Sequence, residues 1–166
     1  MMAKRRTTAR DENERILLHW LDAVPNDRLA HLIRDVGRSL GQSLTVRLAD
    51  HDIPFGHWAF LRVLWNGDGL TQKELSDAIG VTEPTTFAAV KALEERGYIT
   101  RRHEPGNRRK LHVFLTPEGA ALRDELVPLA NEVNKIAVKG IPDEHLKILR
   151  EAMLKMIGNL AEDDYG

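Results

Sequence analysis

Cysteine is absent from the 166-residue chain. A disulfide framework, a cysteine-ligated zinc site and a thiol redox switch are excluded with it. No apolar run approaches the length of a membrane span. The basic start has no uninterrupted apolar core after it, so it does not read as a secretory signal. The cytoplasm is the expected location, with no membrane partner. A glycine-rich phosphate loop, Gly-x-Ser-x-Gly and His-Glu-x-x-His are missing too, so the chain does not read as an enzyme and no cofactor is expected. Nor does one charge dominate. Lys and Arg number 24 against 25 Asp and Glu, a formal net charge of −1. Any attraction to a nucleic acid must come from local clusters.

Such clusters exist. Lys4, Arg5, Arg6 and Arg10 open the chain with no acid among the first ten residues, a stretch expected to be a disordered basic tail. Glu162, Asp163 and Asp164 close it. Between Arg96 and Lys110, Arg96, Arg101, Arg102, Arg108, Arg109 and Lys110 face only Glu104.

The third cluster ends a run of ordered local signals, Leu70 to Thr116. Thr71 with Glu74 fits a capping box, so a helix is expected there. Leu75, Ala78 and Ile79 give it an apolar face, and Gly80 stops it. A second helix starts near Thr82 to Pro84, capped by Thr82 or Glu83, and ends at Gly97. Tyr98 to His103 and Leu111 to Thr116 then read as strands around Glu104-Pro105-Gly106-Asn107, which has turn chemistry. Two short helices and a basic hairpin make a winged helix-turn-helix, whose second helix is shaped for a DNA major groove.

These residues resemble the DNA-binding core of the MarR-type regulators, the multiple-antibiotic-resistance regulator family. The resemblance rests on Leu70-Thr71-Gln72-Lys73-Glu74-Leu75, on Leu93 to Arg101, on Asn107-Arg108-Arg109 and on Leu115-Thr116-Pro117-Glu118-Gly119. His57 to Arg62 and Ile141 to Leu146 resemble flanking parts of the same family, so the likeness spans about Asn26 to Leu160. It implies a homodimer that binds a near-palindromic operator in double-stranded DNA. It also implies release by a small, often aromatic and anionic, effector held between the dimer helices and the winged core.

The rest of the chain reads as helices. Asp11 to Val24 forms a short one and Asp27 to about Asp50 a long one, with Leu29, Leu32, Ile33, Val36, Leu40, Leu44 and Leu48 at helical spacing. Phe55 to Trp65 forms another. Pro117 to Lys139 is long, with Pro128 expected to kink it. Asp143 is expected to cap a last helix running to about Leu160. The fold class is thus mainly α with a small β-hairpin wing. Four segments follow: a tail at 1–10, dimerisation helices at 11–53, the winged helix-turn-helix at 54–116, and further dimerisation helices at 117–166.

For DNA, the candidates on the second helix are Thr82, Glu83, Thr85, Thr86, Phe87, Ala88 and Lys91; those on the wing are Arg101, Arg108, Arg109 and Lys110. Thr85 can hydrogen-bond a base edge or phosphate, and Phe87 or Ala88 can touch a thymine methyl. Phe87-Ala88-Ala89 stands where the family often has an arginine or polar residue, so the wing and DNA shape are expected to carry more of the specificity. The family's wing pattern is Asp-x-Arg. Here Asn107 replaces the acid, which weakens the bond orienting Arg109. Arg109 is expected in the minor groove and Arg108 on phosphate.

Effector candidates are Arg34, Arg38, His51, His57, Trp58, Arg62 and Trp65: an arginine holds a carboxylate and tryptophan stacks a ring. Ordinary packing is the competing account of each. Asp50-His51-Asp52 with His57 suggests a metal, but nothing fixes four ligands, and no metal is expected. His103 and His112 could face each other across the wing. The remaining alternatives are a DNA-binding regulator or activator without small-molecule sensing, and a metal-responsive regulator.

Overall fold

The computed structural model describes residues 2–21, 29–104 and 107–163, with side chains described for 9–21, 29–103 and 110–163. Seven helices and a three-stranded sheet make up these residues. In chain order they are α1 (Met2–Leu21), α2 (Leu29–Leu48), α3 (Phe55–Asn66), β1 (Leu70–Thr71), α4 (Gln72–Ile79), α5 (Glu83–Glu95), β2 (Ile99–Glu104), β3 (Asn107–Leu115), α6 (Pro117–Ala137) and α7 (Asp143–Ala161). A 3₁₀ turn, Ala49–His51, follows α2 and closes on Asp52 in the left-handed region at φ 55°.

One core joins the winged region to α2 and α6. Leu48, Leu61, Leu64, Leu75, Val90, Leu93, Ile99, Val113 and Leu126 are all but sealed from solvent. Each such side chain contributes roughly 1.5–3 kcal/mol relative to an exposed one. The leucine spacing of α2 buries only its second half: Leu44 and Leu48 are inside, while Leu29, Leu32, Ile33 and Val36 stay exposed in the single protomer. The sheet has the order β1-β3-β2, all antiparallel. β1 was not expected. It is two residues long, and so short a strand has no periodicity to betray it.

Several boundaries differ from the sequence reading. The first ten residues do not form a separate disordered tail, because α1 begins at Met2. The hairpin strands reach further into the turn than expected, to Glu104 and from Asn107; residues 105–106 lie outside the described residues. The last helix starts as expected, yet Asp143 does not cap it. Pro142 occupies the cap without a side-chain bond, and Asp143 and Glu144 sit in the first turn. Acids there favour the helix through its dipole and not through a capping hydrogen bond. Pro128 lies inside α6. α7 has no buried residue in the single protomer, and Ile148, Leu149, Leu154, Ile157 and Leu160 are all exposed.

Candidate nucleic-acid interface and ligand groove

The helix-turn-helix forms by the expected local chemistry. The Thr71 hydroxyl accepts from the Glu74 N–H, and the Glu74 carboxylate accepts from the Thr71 N–H at 2.7 Å. Those bonds to Thr71 hold the Glu74 carboxyl below its ordinary value. Gly80 ends α4 at φ 77°, a conformation that costs glycine little. Thr82, and not Glu83, caps α5: its hydroxyl accepts from the Thr85 N–H. Thr86, Ala89, Val90 and Leu93 form the buried face of α5. At 100° per residue, Pro84, Ala88 and Lys91 point the opposite way, with Phe87 beside them. All four are exposed.

Two expected DNA contacts are corrected here. Thr86 is fully buried, and its hydroxyl lies 2.7 Å from that of Ser76 on α4. It braces the two helices against each other and has no path to DNA. Arg101 points back onto α5. Its Nε donates to Glu94 Oε2 at 2.9 Å, while its backbone N–H donates to Oε1 at 3.1 Å. This forked arrangement fixes the base of the wing to the end of α5. The guanidinium bond holds the Glu94 carboxyl below its usual range and, reciprocally, raises Arg101.

A carboxylate with a depressed folded pKa contributes stability that is complete above its ordinary value, 4.5 here, and that is lost as pH falls through the folded value. Glu94→Gln is therefore expected to flatten the loss of thermal stability between about pH 5 and pH 3, as read by melting curves across that range. An unchanged acid limb would show that the pair contributes nothing.

On the wing, Lys110 is exposed, and Arg102 lies over the Phe114 ring, 3.9 Å from its centroid. Arg108 and Arg109 belong to β3 by their backbone, but their side chains lie outside the described residues. His103 and His112 do not oppose each other: His103 pairs with Leu111, and His112 with Arg102. His112 Nδ1 instead lies 2.8 Å from Gly69 O.

Three of the seven effector candidates meet in one place. Trp58, Arg62 and Trp65 line a groove of about 510 Å³ between α2, α3 and α6, together with Phe55, Arg123 and Asn131. The two indoles meet edge to face, centroids 5.5 Å apart. Trp65 Nε1 donates to the Gly119 carbonyl at 2.9 Å, which ties the groove wall to the first turn of α6. Trp58 is also part of the core, at 7% exposure, so little of its ring is open to the groove.

The other four candidates lie elsewhere. Arg34 pairs with Asp35 at 3.1 Å, and Arg38 acts on the same carboxylate. His51 faces Glu125 at 3.3 Å, away from Asp52. His57 is held below its ordinary pKa by burial and by Arg96, whose guanidinium reaches the Asp52 carbonyl. Among the described residues, no three His, Asp or Glu side chains gather as a metal site. Arg123 was missed by the sequence reading. It shares a helical face with Val127, Ala130 and Asn134, a spacing that was there to be read.

Comparison with known proteins agrees with this geometry. The profile of the MarR family matches residues 51–110, from the turn before α3 to the wing. A Bacillus subtilis (strain 168) HTH-type transcriptional regulator, YwoH, is 31% identical over 101 residues, covering 61% of this chain and 73% of its own. This chain belongs to the MarR family. It is a DNA-binding transcriptional regulator and not an enzyme. TtmR of Methylorubrum extorquens (strain PA1), another HTH-type regulator, is 25% identical; the match covers 65% of this chain and 55% of TtmR.

Among solved structures, a MarR regulator from Methanosarcina mazei Go1 superposes with a TM-score of 0.75 at 25% identity, covering 82% of this chain and 99% of the other. Two further structures at 23% identity share the fold. One, from Listeria monocytogenes, is complexed with a 26mer DNA (TM-score 0.72; 83% and 92% covered). The other, CouR from Rhodococcus jostii RHA1, is bound to p-coumaroyl-CoA (TM-score 0.69; 78% and 92% covered). No helix among the described residues of this MarR-type chain is long and apolar enough to cross a membrane.

Proposed function

We propose that this MarR-family protein is a homodimeric repressor, released from a near-palindromic operator by a small aromatic anion. The observation that carries the sensing part is the groove beside Trp65, where aromatic walls and two arginines, Arg62 and Arg123, meet at one site. A guanidinium binds a carboxylate in forked geometry, and indoles favour a flat ring. The p-coumaroyl-CoA bound by CouR shares the flat aromatic ring, with its negative charge on the phosphates of coenzyme A, which a guanidinium also pairs with.

The groove lies where α2 and α6 meet α3 of the winged core. A ligand there acts on DNA binding only if it prefers one setting of those elements over the other. Dimerisation is supported by the apolar faces that the single protomer leaves uncovered, on α1 at Leu17, Leu18 and Leu21, on α2, and on α7. A twofold pair would set the two copies of α5 into half-sites about 34 Å apart. In this reading the groove-facing residues are Thr82, Glu83, Thr85, Phe87, Ala88 and Lys91, with Arg108, Arg109 and Lys110 on the adjacent backbone or minor groove.

The test is a gel shift on the promoter of the protein's own gene, with benzoate, p-coumarate and p-coumaroyl-CoA as probes. One of them is expected to weaken binding by at least about fivefold, the low end of allosteric coupling. Arg123→Ala is expected to keep the DNA affinity and lose the response. Binding that ignores all three probes would leave a DNA regulator without this sensing mode.

A further inference from the structure

The base-reading groups of α5 can be found by elimination. The helix and its cap, residues 82–95, hold no Arg, Asn or Gln, so the bidentate readers of adenine are missing and Lys91 is the one side chain there of a type that reads guanine. Thr86 is sealed against Ser76. The hydroxyls of Thr82 and Thr85 lie 2.9 Å from each other, and that of Thr82 also caps the helix. Lys91 leans toward Glu95 at 3.8 Å. Glu83 is acceptor-only, which suits a cytosine amino group, but phosphate repels its charge.

What remains on the outward side is apolar. Phe87 is 51% exposed, in the first half of the helix, with exposed Ala88 next to it. Only one base presents an apolar group in the major groove: thymine, through its 5-methyl. We infer that Phe87, flanked by Ala88, is a specificity-determining residue that reads a thymine methyl in each half-site. The inference rests on the proposal that α5 is the groove-facing helix. It means that this regulator selects sequence at the recognition helix by apolar contact, with Lys91 supplying phosphate attraction beside it.

The experiment selects duplexes from a random-sequence pool with the wild-type protein, then replaces each thymine of the enriched site by deoxyuridine. Only the 5-methyl group is removed by that change. One thymine per half-site is expected to matter, with affinity falling about fourfold at that position, the worth of one buried methyl group. Phe87→Ala is expected to bind the parent site about tenfold more weakly and to respond to no deoxyuridine. Phe87→Leu should keep part of the discrimination, with unchanged circular dichroism showing that the fold is intact.

Lys91→Ala separates the two levels of the argument. If it weakens binding while Phe87→Ala still feels the missing methyl, the thymine assignment is overturned and α5 remains the groove helix. If both variants bind as wild type does, α5 is not that helix and the assignment goes with it. A selection that enriches no duplex, or one whose half-sites hold no sensitive thymine, overturns the inference as well.

Discussion

A protein carrying Leu149→Asp and Ile157→Asp is expected to sediment as a single subunit and to bind its operator at least a hundredfold more weakly. Both side chains are exposed on α7 in the isolated protomer, at 48% and 64%. Their replacement removes no contact that holds the single chain together, so helical content is expected to be unchanged. In the proposed dimer the same positions would be interior. Four new carboxylates would have to be buried there, each at a cost of several kcal/mol unless it finds a partner. A monomer then reads one half-site at a time. It loses the effective concentration that makes the second contact nearly intramolecular, which multiplies affinity by roughly 10²–10⁴. Analytical ultracentrifugation and a gel shift at one salt concentration check both halves. A dimeric double variant would move the interface away from α7.

Gly119→Ala is expected to lower the melting temperature by up to about 6–12 °C and to weaken DNA binding. Gly119 is the third residue of α6, its N–H donating to the capping Thr116 hydroxyl at 3.0 Å. A Cβ built on it would stand 1.9 Å from the Tyr98 carbonyl oxygen and 2.8 Å from its carbon. Backbone faces backbone, so no side chain can rotate away. Either α6 or the start of β2 must move. The second choice loosens the bond from Thr116 N–H to Tyr98 O, 3.0 Å long, and disturbs the joint where α5 ends and the wing begins.

Overpacking of this kind typically costs up to about 3 kcal/mol, and each kcal/mol shifts a chain of this size by about 2–4 °C. Melting curves at equal protein concentration test it, since a dimer's midpoint depends on concentration. A shift under about 2 °C would mean that the two segments are not held as close as they stand. The same joint has a third member. Trp65, on the groove wall, donates to the Gly119 carbonyl, so a ligand pressing on that indole bears on the wing's base.

The fold was legible where local chemistry determines it. Thr71 with Glu74, Gly80, Thr82 before Pro84 and the Gly97 stop each say the same thing in sequence and in space, because caps and left-handed stops depend on a few adjacent residues. The site was less legible. Thr86 stands among the expected DNA contacts beside Thr85, although its spacing to Val90 and Leu93 sets it on the core side of the helix, where Ser76 of α4 meets it. Arg101 belongs to the basic cluster by sequence, but Glu94, seven residues earlier, claims it. Arg123 entered the groove from α6, 58 residues beyond Trp65 along the chain, and no local pattern joins those two. Periodicity located α2 and its apolar stripe, and a last helix was expected where α7 lies. It could not say that the single protomer would leave the first half of one uncovered and fully bury no residue of the other.

The most direct test is the mass and footprint of the wild-type complex on its own promoter at low ionic strength. The account predicts two subunits per site, protecting two half-sites about one helical turn apart, with binding that weakens steeply as salt rises. A single subunit at every concentration, with no promoter fragment protected, would contradict it.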